Sequence, residues 1–93
     1  MSRIDKMRTL LTALHPTQIE IIDDSHKHAG HEGARSGGGH YTLQIVSAEF
    51  AGKATLARHR MIYSALGEMM KQEIHALNIQ AYTEQELQSR SQP

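Results

Sequence analysis

The chain has 93 residues, ten basic and ten acidic side chains that cancel, and no cysteine. Balanced charge excludes a uniformly basic nucleic-acid coat or an acidic tail as the main driver of function, and the missing cysteine excludes disulfides, thiolate zinc sites and a cysteine nucleophile. One modest core leaves little room for a deep active-site cavity, and no apolar run is long enough to span a bilayer, so a single cytoplasmic domain over 1–93 is expected.

Along the chain, Ser2 to Leu14 reads as a helix: Ser2 can cap it, Asp5 sits in the first turn, and Ile4, Met7, Leu10, Leu11 and Leu14 recur at three and four residues. Pro16 ends it by forcing His15 out of helical geometry. Gln18 to Asp23 switches to period two and predicts a strand. Asp24 to Gly39 is polar, carries five of the seven glycines and lacks Val, Ile, Leu or aromatic residues, which predicts a surface loop. His40 to Ser47 alternates again, with Tyr41, Leu43 and Ile45 on one side. The stripe Leu56, His59, Ile62/Tyr63, Leu66 and Met69/Met70 predicts one long helix. Glu73 to Ala81 returns to period two, with His75, Leu77, Ile79 and Ala81 sharing a face. Thr83 with Glu86 forms a capping box that opens a short helix through Leu87, and the tail 88–93 is expected to fray.

The order is α-β-β-α-β-α. The first two strands can pair antiparallel across the loop, and a helix joins the second to the third, which implies a parallel crossover. An α+β two-layer sandwich follows, with a three-stranded mixed sheet and helices on one face. Strand polarity then places the start of the third strand, at His75, beside the loop that carries His26, His28 and His31.

Seven histidines, four of them within residues 26 to 40, make metal binding the chemistry to consider, since neutral imidazole ligates zinc, iron and copper. His75 with His28 or His31 are the candidate ligands. His75 also suits a hydrogen-bonded histidine at the rim of the core, and His26-x-His28-x-x-His31 alone lacks preorganisation for zinc. His59 suits packing on its apolar stripe. Lys53, Arg58 and Arg60 form a basic patch able to touch phosphates, or a solvated helix face. Ala51-Gly52-Lys53-Ala54-Thr55 fails as a phosphate loop, because Ser47 and Ala54 replace required residues.

The motifs Asp24-Ser25, His40-Tyr41, Val46-Ser47-x-x-Phe50-x-Gly52, Arg58-His59-Arg60-x-Ile62-Tyr63 and Ile74-His75-Ala76-Leu77-x-Ile79, with Thr83 after them, resemble the BolA family over about Ile4 to Glu86. The resemblance implies a KH-like fold and a non-enzymatic role beside monothiol glutaredoxins in iron–sulfur cluster trafficking and iron regulation. It also implies that His75 ligates a [2Fe-2S] cluster shared with glutaredoxin and glutathione. The second ligand it implies is a loop residue, to which His28 falls nearest. This chain departs from the pattern in adding His26 and His31 and in a glycine-rich loop end without proline. Some members of the family are DNA-binding transcriptional regulators, a role that the Arg58-His59-Arg60 region would serve.

Overall fold

The computed structural model describes residues 2–25 and 39–91. Helix α1 spans Arg3–Leu11 and begins at its sequence cap: the Ser2 hydroxyl accepts the Asp5 N–H at 3.1 Å. Met7 and Leu11 are its buried residues. Thr12–Leu14, predicted to continue the helix, tighten instead into a 3₁₀ turn. His15 closes that turn in the left-handed region (φ 51°, ψ 54°) and donates its N–H to the Thr12 carbonyl at 3.0 Å. The ring of Pro16 disfavours the right-handed alternative at this position.

Strand β1 (Gln18–Asp23) pairs antiparallel with β2 (Gly39–Val46), from Gln18 opposite Val46 to Asp23 opposite Tyr41. Period two decides what the pair buries. Ile21, Tyr41, Leu43 and Ile45 enter the core, whereas Glu20, Thr42 and Gln44 stand on the opposite face. Most of the expected loop, residues 26–38, lies outside the described residues. After β2, the fully buried Ser47 is satisfied twice. Its hydroxyl donates to the Leu14 carbonyl at 2.6 Å and accepts the Glu49 N–H at 3.1 Å, capping a 3₁₀ turn Ala48–Phe50 that drives Phe50 into the core.

The predicted long helix divides into α2 (Thr55–Leu66) and α3 (Met69–Gln72). Gly67 makes the break: it adopts φ 56°, ψ −124°, a region that side chains with a Cβ disfavour, and its N–H caps the Tyr63 carbonyl at 2.9 Å. The predicted stripe is buried from its middle on: Ile62, Leu66 and Met69 enter the core and His59 is half-buried, whereas Leu56 is 61 % and Tyr63 40 % exposed.

Strand β3 (Ile74–Tyr82) runs parallel to β2 and completes a sheet of order β1-β2-β3. The core joins Met7 and Leu11 of α1, Ile62 and Leu66 of α2 and Met69 of α3 to one face of this sheet. The architecture is the mixed three-stranded α+β arrangement expected from the sequence. Helix α4 (Glu84–Ser91) extends past Leu87 and opens on the expected capping box: the Thr83 hydroxyl accepts the Glu86 N–H at 3.2 Å, and the Glu86 carboxylate accepts the Thr83 N–H at 3.0 Å. Among the described residues no helix is long and apolar enough to cross a membrane.

Candidate functional site

Parallel pairing brings the start of β3 to the start of β2, with Gly39 opposite Ile74 and His40 opposite Ala76. His75 is therefore the extra residue of a β-bulge. This corrects the expectation that His75 shares the face of Leu77: Ile74 takes the buried position, the bulge resets the alternation, and Leu77 faces inward one residue later than strict alternation from Ile74 would place it. His75 is left exposed, next to the half-buried His40, with ring centroids 5.0 Å apart and planes tilted by 44°.

Local hydrogen bonds fix Asp24 and Ser25, and Gly39 and His40, at this edge. The Ser25 hydroxyl accepts the His40 N–H at 3.0 Å, the Asp24 N–H donates to the His40 carbonyl at 2.7 Å, and the Thr42 hydroxyl donates to the Asp24 carboxylate. On the other side, the Gly39 N–H reaches the Glu73 carbonyl at 3.1 Å, tying β2 to the residue before β3. A depression of about 400 Å³ opens beside His40, flanked by Asp24, Thr42, Ala76 and Asn78.

His26, His28 and His31 lie outside the described residues. Of the sequence candidates for ligation, His75 alone is described, and it stands at the expected edge. Sequence reasoning passed over His40, although the polarity argument that located His75 also puts position 40 beside position 76. The described side-chain donors at this edge are the His40 and His75 imidazoles and the Asp24 carboxylate; the chain has no cysteine, and no group of three or more His, Cys, Asp or Glu side chains able to hold a metal ion occurs among the described residues. His59 lies on α2, half-buried, its ring edge-on to Tyr63 with centroids 6.4 Å apart.

The basic patch divides by geometry. Lys53 and Arg60 are exposed. The Arg58 side chain is only 11 % exposed and spends four of its five N–H donors inside the molecule. Nε donates to the Lys53 carbonyl, Nη1 to the Ala81 carbonyl and to Glu86, and Nη2 to Glu86 at 2.8 Å, while the guanidinium lies 5.9 Å from the Phe50 ring centroid. The Arg58 hydrogen bond is the main cause, ahead of the Thr83 N–H, that lowers the Glu86 carboxyl to about 2. An open concavity of about 670 Å³ lies over this pair, between Lys53, Thr55, Tyr82 and Gln85.

The sequence matches the family model described as BolA-like protein over residues 10–86. It is 39 % identical over 74 residues to the "DNA-binding transcriptional regulator BolA" of Escherichia coli, covering 80 % of this chain and 68 % of that protein. It is 42 % identical over 79 residues to "SufE-like protein 1, chloroplastic/mitochondrial" of Arabidopsis thaliana; there the match covers 80 % of this chain and only 21 % of the relative. The fold superposes on the solved BolA domain of SufE1 from Arabidopsis thaliana with a TM-score of 0.79 and 40 % identity, covering 92 % of this chain and 96 % of that one.

Proposed function

The chain belongs to the BolA family, and on that premise we propose that it is a non-enzymatic adaptor whose cargo is a [2Fe-2S] cluster held jointly with a monothiol glutaredoxin. His75 and one loop histidine, His28 or His31, are its ligands. The observation that carries this reading is the bulge that turns His75 out of the β3 register, exposed beside a second imidazole. Two imidazoles suit one iron of such a cluster, as in Rieske-type centres, and the other iron then needs thiolates. A chain without cysteine leaves those to the glutaredoxin and glutathione. Such a site is incomplete in this chain alone, which makes it a shared interface. Covalent reach is compatible with the loop ligand: His28 is three residues, at most about 10 Å of extended chain, from Ser25, which is bonded to His40.

The test mixes the apo-chain with cluster-loaded monothiol glutaredoxin and glutathione and follows visible circular dichroism. Wild type is expected to convert the cluster spectrum and His75→Ala to leave it as glutaredoxin alone gives it. The same altered spectrum with both proteins would overturn ligation by His75.

A second reading, a DNA-binding regulator, draws on the printed name of the Escherichia coli relative and on the exposed Lys53 and Arg60 near the start of α2. Neutral net charge makes such binding weak and salt-dependent. Lys53→Ala/Arg60→Ala together are expected to lower the logarithmic salt slope by about 2, and an unchanged slope removes both from the contact.

A further inference from the structure

We propose that α4 is a self-blocking latch: its Glu86 carboxylate fills the fork of Arg58 that would otherwise grip a phosphate of the DNA backbone, and α4 must swing off for that contact to form. The inference rests on the DNA-binding reading and adds to it a contact and its control. A guanidinium offering two parallel N–H groups recognises a carboxylate and a phosphate by the same bidentate geometry. Arg58 offers that fork through Nη1 and Nη2, and Glu86 fills it at 2.6 and 2.8 Å. The rest of the side chain is anchored independently of Glu86. Nε donates to the Lys53 carbonyl at 2.9 Å, Nη1 also donates to the Ala81 carbonyl at 3.0 Å, and the guanidinium lies 5.9 Å from the centroid of the Phe50 ring. The fork therefore keeps its aim when Glu86 leaves. It then faces the concavity of about 670 Å³, on whose wall the exposed Lys53 also stands.

Helix α4 is suited to leave. None of residues 84–89 is buried, and none belongs to the core cluster. A helix of eight residues is too short to persist by itself. Its first turn ties it to the body: Glu86 to Arg58, Glu84 to the exposed Thr17 hydroxyl at 2.6 Å, and the Thr83–Glu86 box that starts it. These polar bonds end on exposed or half-buried groups, an arrangement that opens locally without disturbing the core. A phosphate and Glu86 cannot share the fork, so DNA binding and α4 docking oppose each other. The apparent affinity is then scaled down by the fraction of molecules in which α4 is released.

Full-chain variants titrated against a fluorescent DNA duplex over a range of salt test this. Glu86→Gln is expected to bind at least about fivefold more tightly than wild type, with a logarithmic salt slope steeper by about 1. Thr17→Val loosens α4 without altering charge and is expected to bind roughly two- to fivefold more tightly. Glu68→Gln removes an exposed negative charge elsewhere and is expected to stay within about twofold of wild type. The double variant Arg58→Gln/Glu86→Gln is expected to lose the gain. Hydrogen exchange in wild type follows the motion itself: the Leu87 amide, bonded to the Thr83 carbonyl at 3.0 Å, is expected to lose protection when the duplex is added. Glu86→Gln binding like wild type overturns the latch and leaves the DNA reading intact, and so does a Leu87 amide equally protected in free and DNA-bound protein. A gain shared by Glu68→Gln or kept in the double variant overturns it too, since the lost negative charge would then explain it. If neither wild type nor Glu86→Gln binds the duplex at low salt, the DNA reading and the latch fall together.

Discussion

Glu86 carries two obligations through one carboxylate. It closes the capping box of α4 on the Thr83 N–H and receives the bidentate Arg58 guanidinium that crosses from α2. Both favour the charged form and bring its pKa from 4.5 to about 2. A depressed carboxyl pKa adds stability that is fully present above the unfolded value and is lost as pH falls through the folded one. Glu86→Gln is therefore expected to melt below wild type by a constant margin from about pH 7 to about pH 5, with the margin shrinking from about pH 4.5 downward. Thermal melts across that range check this, and a margin independent of pH would contradict it. The two halves of the arrangement differ in legibility. The cap could be read directly because Thr83 and Glu86 are three residues apart. The ion pair spans 28 positions, so Arg58 read as a phosphate contact or part of a solvated helix face, and its inward hydrogen bonds to Lys53, Ala81 and Glu86 were not legible.

At the scale of elements, β1 coincides with its predicted range and β2 starts one residue early, because alternation of apolar and polar residues is a local property that survives into the sheet. The phase slip in β3 is not local. It arises where two strands must be matched across a gap, at Gly39 against Ile74 and His40 against Ala76. The α2 stripe held at Ile62 and Leu66 and lapsed at Leu56 and Tyr63, because how far round and along the helix burial reaches is decided by Met7, Leu11 and Phe50 across the core. Gly39 is where β2 meets the bulge. A Cβ there would come within 2.5 Å of the buried Tyr41 ring, so the ring or the strand would have to shift. Gly39→Ala is expected to lose about 1–3 kcal/mol in urea unfolding and to shift the His75 amide resonance. A variant as stable as wild type with that resonance in place would contradict the account of the bulge.

For the molecule as a whole, the rule that a strand–helix–strand crossover runs parallel was enough to bring residues 35 positions apart, His40 and His75, to one edge of the sheet. No contact between them is visible in the sequence itself; polarity alone implies it. The thiolates that would complete a cluster site cannot be read from this chain, because they belong to another molecule. Pulsed EPR on the reduced complex tests the central claim most directly, with this chain labelled with ¹⁵N-histidine and the glutaredoxin unlabelled. The account predicts that strong ¹⁴N couplings at the cluster are replaced by ¹⁵N couplings, and that His75→Ala abolishes them. A spectrum indifferent to the label would contradict it.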